Sequence, residues 1–286
     1  MERKKVTVPR LVAKKVRGER ITMLTAYDYT GAYLVDAAAI DVILVGDSLG
    51  MVMMGLDTTL PVTMDEMLHH CRAVARGAKY AHLVGDMPFM SYQAEVAEAV
   101  RNAGRFLREG GMDSVKLEGG REMADTVRAI VTAGIPVMGH IGLTPQSISK
   151  FGGMRAQGKT AAAALRLLAD AEALEAAGCY AIVLEAVPAP VAAAVTERIG
   201  IPTIGIGAGA GCDGQVLVYH DVLGLFDRVH PPFVKQYANL SETVVAAFSA
   251  YRDDVIAGRY PAEEHTYPMK DDELAAFRKG LEQPPF

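Results

Sequence analysis

The chain is 286 residues long, 50% hydrophobic, 22% charged and 7% aromatic, a balance that belongs to folded globular proteins and excludes a disordered or collagen-like chain. Its 29 Lys and Arg against 34 Asp and Glu leave a formal charge of -5, spread without blocks, so nothing in it argues for nucleic acid or an anionic membrane surface. Cys71, Cys179 and Cys212 are odd in number, far apart and outside any C-x-x-C pattern, which excludes a disulfide framework and points to a reducing compartment, the cytoplasm.

In chain order, the opening MERKKVTVPRLVAKK is basic but lacks the apolar run of a secretory signal. Eight short runs rich in Val and Ile follow: ITMLTAY from Ile21, VILVGD from Val42, HLVGD from His82, SVKLE from Ser114, IPVMGH from Ile135, YAIVLE from Tyr180, IPTIGIG from Ile201 and QVLVYHD from Gln215. Their near-continuous apolar character predicts strands buried on both faces, as in a parallel sheet covered by helices. Helices are expected at Thr63 to Gly77, opened by the cap Thr63 with Glu66 three residues on, at Tyr92 to Glu109, Arg121 to Ala133, Lys159 to Ala177 and Pro190 to Ile199. The longest apolar stretch, Ala129 to Leu143, is broken by Gly, Pro and His, so no membrane span is expected.

Eight β-runs separated by crossovers fit a closed (βα)8 TIM-type barrel of the α/β class better than an open doubly wound sheet. Residues 1–267 are expected to form that single domain, with an N-terminal lead-in and an amphipathic C-terminal helix from Ser241 to Gly258. The Pro-bearing, mixed-charge stretch from Tyr260 to Phe286 reads as a tail that wraps a neighbour or is partly mobile, and 268–286 as an extension of unassigned role.

An acidic residue or a His ends one apolar run after another: Asp47, Asp86, Glu118, His140 and Glu185. In a parallel barrel those strand ends converge on one face, where catalytic groups come from several strands. Any one such Asp, taken alone, is more commonly a helix cap; the five together are harder to dismiss. Asp47, Asp86 and Glu118 are hard oxygen donors with no zinc-type Cys/His cluster beside them, which points to a hard divalent ion such as Mg2+. Lys116, two residues before Glu118, shares its strand face and can offer an ammonium to a substrate carboxylate. A 2-oxo acid suits both groups, because its oxygens chelate the ion, which polarises the carbonyl. Glu185 follows AIVL and precedes AVPAP, an apolar setting that suits a proton acceptor, and His140 can hydrogen-bond an anionic oxygen or orient a ligand.

His69, His70, His82, His220, His230 and His265 have no ligand spacing and are assigned no role. Met51, Met53, Met54 and Met90 fill gaps or line a pocket for a flat ring. The run Gly205, Gly207, Gly209, Gly211 and Gly214 holds one formal G-x-G-x-x-G, but a β-like run follows it where a dinucleotide fold needs a helix. It reads as a turn that lets backbone approach a ligand, with a phosphate cradle the alternative.

The ordered series VILVGDSLGMVMMG, HLVGDMPFMSY, SVKLEGG, PVMGHIGLTPQS with FGGMRAQGK, IVLEAVP, IPTIGIGAGAGCDGQVLVYHD and YPAEEH resembles the ketopantoate hydroxymethyltransferase family from about Thr7 to His265. The resemblance implies a barrel of the phosphoenolpyruvate mutase/isocitrate lyase group. It implies transfer of a hydroxymethyl group from 5,10-methylenetetrahydrofolate to 3-methyl-2-oxobutanoate, giving 2-dehydropantoate on the way to pantothenate, through an Mg2+-stabilised enolate. Asp47 and Asp86 then match the metal ligands, with Glu118 completing the metal environment. Asp47, Ser48, Asp86 and Lys116 match the 2-oxo acid contacts, Glu185 the proton acceptor, and His140 a neighbour of the site. Gly142 to Lys159 would be a lid over the folate, and the assembly a cytoplasmic homodecamer. The rivals are another metal-dependent carbon–carbon lyase or mutase of the same barrel group, whose K-K-C-G-H loop is absent here, and a non-catalytic 2-oxo acid binding barrel, which would not need these acids and Lys116 intact.

Overall fold

The computed structural model describes residues 3–153, 155–226, 228 and 231–282, so His230 and Met154 of the expected lid lie outside the described residues. The chain divides into two compact units, Met1–Ala238 and Asn239–Phe286.

In the first unit eight parallel strands close into a barrel in sequence order: β1 (Ile21–Thr25), β2 (Val42–Val45), β3 (His82–Asp86), β4 (Ser114–Glu118), β5 (Val137–Gly142), β6 (Ala181–Glu185), β7 (Thr203–Ile206) and β8 (Gly214–Leu217), which pairs back onto β1. Each of the eight expected runs supplies one strand. The double burial inferred from their apolar character is visible as two clusters. Val42, Val84, Met138, Val183, Ile204 and Val216 fill the interior, while Ile43, Leu83, Val115, Val137 and Ile182 belong to the cluster shared with the surrounding helices. Period-2 geometry sends successive side chains to those two places.

The helix Met64–Gly77 opens on the expected capping box, with Glu66 N donating to Thr63 Oγ1 at 3.3 Å and Thr63 N donating to Glu66 Oε2 at 2.7 Å. Ala161–Ala177 and Ala189–Arg198 follow as expected. Two boundaries differ. The helix expected from Tyr92 begins at Val96 and runs to Arg108, because Tyr92 is buried in a polar network described below. The Arg121 segment opens as a 3-10 turn, Arg121–Met123, before the α-helix Ala124–Thr132. QVLVYHD leaves the sheet at Leu217, and its last residues enter a short helix, Tyr219–Leu223. Helices Val8–Val16 and Tyr29–Ala37 were not among those expected.

The basic N-terminal segment has a structural use. Leu11 is buried in the interior cluster. Lys5, Lys14 and Lys15 pair with Asp113, Asp41 and Asp213 at 2.7, 2.7 and 2.8 Å. Each of those aspartates directly precedes a strand and accepts a backbone N–H from an adjacent strand or its lead-in: Asp41 from Thr22, Asp113 from Leu83 and Asp213 from Thr203. The lysines thus neutralise acids that hold the strand starts in register, and the segment stoppers the N-terminal end of the barrel. Just inside it, His82 Nε2 and Tyr180 OH both lie 2.9 Å or 3.3 Å from their polar neighbours in a buried trio with Ser114 Oγ.

The second unit contains the helix Leu240–Ile256, in place of Ser241 to Gly258, and the helix Asp271–Leu281. The latter lies within the stretch from Tyr260 to Phe286 that the sequence reads as a tail. Asp271, Asp272 and Glu273 in its first turn and Arg278 and Lys279 in its last complement the helix dipole at both ends. No helix among the described residues is long and apolar enough to cross a membrane.

Candidate active site

Strand register assembles the charged layer. Asp86 on β3 is opposite Lys116 on β4, and Glu118 is opposite His140 on β5. Gly142 stands opposite Glu185 on β6, and Asp47 follows β2. All these charged groups line one cavity of about 760 Å3 at the C-terminal ends of the strands, with Ser48 among them. Every site residue expected from the sequence is therefore in one place. Met51, Val52, Phe226 and Phe233 supply apolar wall, and Gly207 of the glycine-rich turn adds backbone with φ +63°.

Lys116 Nζ lies 2.8 Å from Asp86 Oδ1 and 3.2 Å from His140 Nδ1. His140 Nδ1 is 3.4 Å from Glu118 Oε1, and its Nε2 is 3.1 Å from Glu185 Oε2. Ser48 Oγ and Tyr27 OH are 2.9 Å apart. Asp47, Asp86, Lys116, Glu118 and His140 are buried, whereas the Glu185 side chain is 18% exposed toward the cavity. Ala186, directly after Glu185, has φ +48°, a left-handed conformation that costs a residue with a β-carbon roughly 1–2 kcal/mol. It is held there by Ala186 N donating to Ile206 O at 2.8 Å and Gln157 N donating to Ala186 O at 2.9 Å. Strain of this kind concentrates at functional sites.

The electrostatics follow from crowding four acids around one lysine and one histidine. Burial, then the Asp86 and Glu118 charges, raise the Asp47 carboxyl well above its usual range against the pull of Lys116 and Gln146. Burial likewise raises Asp86, although Lys116 opposes it. Burial alone would lower Lys116, but Asp86, Glu118 and Asp47 outweigh it and raise the ammonium's pKa. For His140, burial and Lys116 act downward, and hydrogen bonds to Glu118 and Glu185 prevail, giving a value pushed up to about 9.

The sequence reading missed two residues that tie this layer together. Gln146, in the turn Pro145–Ser147 after β5, is 5% exposed; its Nε2 donates to Asp47 Oδ2 at 2.9 Å and its backbone N to Glu118 Oε2 at 3.0 Å. Tyr92 is 1% exposed, and its OH accepts from Glu118 N at 3.0 Å and donates to Gln146 Oε1 at 2.8 Å. Both lie in loop segments without periodicity; the signal available was their place just after strand ends, in MPFMSY and LTPQS. The start of the expected lid is thus anchored in the site.

Among the described residues no group of three or more His, Cys, Asp or Glu side chains stands as a ready-made metal cage. The donor set still fits a hard divalent cation. Asp47 and Asp86 are buried neighbours, with Asp47 N donating to Asp86 Oδ2 at 3.2 Å, and both line the same cavity; Mg2+ needs one or two carboxylates with water and substrate oxygens rather than an all-protein cage.

Several solved structures share the barrel. A phosphoenolpyruvate phosphomutase from Streptomyces platensis subsp. rosaceus superposes with a TM-score of 0.59 at 18% identity, covering 96% of this chain and 97% of that one. A 2,3-dimethylmalate lyase of the PEP mutase/isocitrate lyase superfamily gives 0.57 at 14% identity, covering 96% and 98%. At such identities the likeness is one of fold alone. Sequence relatives are much nearer. The 3-methyl-2-oxobutanoate hydroxymethyltransferase of Moorella thermoacetica is 60% identical over 93% of this chain and 99% of its own length. That of Syntrophus aciditrophicus is 56% identical over 92% and 97%. A family model described as ketopantoate hydroxymethyltransferase matches residues 5–263, a span that takes in every strand of the barrel and every charged residue of its mouth. The chain belongs to the ketopantoate hydroxymethyltransferase family.

Proposed function

We propose that the chain transfers a hydroxymethyl group from 5,10-methylenetetrahydrofolate to 3-methyl-2-oxobutanoate, with water as the source of the new hydroxyl, giving 2-dehydropantoate and tetrahydrofolate. The observation that carries this reading is the meeting of Asp47, Asp86, Lys116, Glu118, His140 and Glu185 at the mouth of one cavity, in a chain of this family.

Asp47 and Asp86, with Glu118 directly or through water, are the residues that would hold Mg2+, which when bound polarises the 2-oxo group and balances the charge of an enolate. Lys116, fixed by Asp86 at 2.8 Å, directs its remaining N–H donors to the substrate carboxylate. Ser48, held by Tyr27 at 2.9 Å, adds a hydroxyl to the same end. His140 Nε2 stands 3.1 Å from Glu185 Oε2, which leaves Oε1 of Glu185 to take the C3 hydrogen of the substrate as a proton. The electron pair left on C3 forms the bond to the one-carbon unit, water supplies that unit's hydroxyl, and as its two bonds to the folate nitrogens break those nitrogens take up the proton from C3 and the remaining proton of the water. The apolar wall of Met51, Val52, Phe226 and Phe233 suits the flat ring of the donor.

Proton NMR of 3-methyl-2-oxobutanoate in D2O, with protein and Mg2+ but without folate, separates proton removal from transfer. Exchange at C3 that requires Mg2+ and disappears in Glu185→Gln supports the reading. Retained exchange in Glu185→Gln removes that residue as the acceptor. Cys71, Cys179 and Cys212 are free and buried, which suits a cytoplasmic protein. Family membership supports a homodecamer, and light scattering measures it.

A further inference from the structure

We propose that Gln146 positions the Asp47 carboxylate for the cation, fixing which of its two oxygens faces the cavity; this rests on the reading of Asp47 as a cation ligand. An amide side chain has two acceptor lone pairs and two N–H donors, and in Gln146 all four are used. Oε1 accepts from Tyr92 OH at 2.8 Å and from Gln93 Nε2 at 3.2 Å. Nε2 donates to Asp47 Oδ2 at 2.9 Å and to Met87 O at 3.0 Å.

The orientation of the amide is set by this network. The Asp47 carboxylate and the Met87 carbonyl are acceptors, so the end of the amide facing them at 2.9 and 3.0 Å is its NH2 group, while Tyr92 OH, which accepts from Glu118 N at 3.0 Å, has both Gln146 Oε1 at 2.8 Å and Glu118 O at 3.1 Å as acceptors for its hydrogen. Turning the amide over would set its oxygen against the Asp47 carboxylate and the Met87 carbonyl. Two favourable contacts would become two repulsive ones in a buried place. With Oδ2 of Asp47 accepting from Gln146, Oδ1 is left for a ligand in the cavity that Asp47 lines. The backbone N of the same residue holds Glu118 Oε2 at 3.0 Å, so one loop residue sets the spacing of two acids from different strands. Partners of this kind, which touch a ligand residue and not the metal, change metal affinity by about 10–100-fold when removed.

The test is Mn2+ binding followed by electron paramagnetic resonance on the substrate-free protein, in wild type, Asp47→Asn, Gln146→Met and Tyr92→Phe. Gln146→Met keeps the shape of the side chain and removes both ends of the amide. It should weaken Mn2+ by about 10–100-fold, and raising Mg2+ should restore kcat, a rescue that a merely misfolded variant would not give. Tyr92→Phe, which frees Oε1 while leaving the amide in place, should weaken Mn2+ in the same direction by less, and it stands in should Gln146→Met not fold. If Asp47→Asn weakens Mn2+ while Gln146→Met and Tyr92→Phe bind it as wild type does, the positioning role is overturned and the cation reading stands. If wild type binds no Mn2+, or Asp47→Asn binds it unchanged, the cation reading itself fails and takes this inference with it.

Discussion

Gly142 and Glu185 stand opposite one another in the β5–β6 register, and a β-carbon on Gly142 would run into the carbonyl oxygen of Glu185. That carbonyl accepts from Leu143 N at 2.8 Å, and Gly142 itself has φ +96°, where side chains are strained. The end of β6, which aims Glu185, is therefore set by the lack of a side chain on β5. Gly142→Ala should push the two strand ends apart and displace the carboxylate. Since a displacement near 1 Å can cost about 100-fold, kcat should fall by at least about tenfold. Steady-state kinetics beside a thermal melt check this; wild-type kcat would mean that the strand ends give way without moving Glu185.

Ionising Asp47 costs the folded protein more than the unfolded chain. Its pKa is raised on folding, so in the interval above its unfolded value the folded state binds more protons than the unfolded one, and stability falls as pH rises through that interval. At neutral pH, without a divalent ion, Asp47→Asn removes the charge and keeps an oxygen for Gln146 Nε2. The variant should melt higher than wild type by about 2–4 °C, the shift that roughly 1 kcal/mol produces in a domain of this size, while losing activity. Melting both proteins in EDTA decides the matter, and an equal or lower melting point for Asp47→Asn would show that the charge is already balanced.

His82 works in the opposite sense. Burial, assisted by Lys5 and opposed by Asp113, lowers its pKa from 6.5 to about 4. Between those values the unfolded chain takes up a proton that the folded one refuses, so the stability is complete above pH 6.5 and is lost as pH falls toward 4. The loss attributable to His82 is about 3 kcal/mol. His82→Gln retains a polar side chain beside Ser114 and Tyr180 and has no proton to gain. Denaturant unfolding of both proteins at pH 7 and pH 4.5 should show a smaller acid loss in His82→Gln; equal losses would mean that other groups carry the acid sensitivity.

The barrel was legible because doubly buried strands write themselves as unbroken apolar runs, and most of the charged layer because those runs end in Asp47, Asp86, Glu118, His140 and Glu185. Lys116 was found by the same period of two that faces it inward. Gln146 and Tyr92 were missed for a physical reason: their hydrogen bonds join loops to strands far away in sequence, and no spacing records such a bond. The N-terminal lysines were read as a bare charge excess because their partners, Asp41, Asp113 and Asp213, are scattered along the chain. Asp271–Leu281 was obscured by Pro-bearing surroundings, although its acidic start and basic end were visible in the sequence.

The stopper closes one end of the barrel, opposite the end where the charged layer lines the cavity. Below the charged layer lie Val84, Met138, Val183 and Ile204, and below them Leu11. Among the described residues, these apolar side chains and the buried His82, Ser114 and Tyr180 trio fill the interior between Glu185 and that end. A proton lifted from a substrate must therefore leave past the ligands that occupy the mouth, or wait until one of them departs. Turnover and proton release then share one exit, so a solvent isotope effect on the late, product-releasing part of the cycle is the kinetic trace this architecture should leave.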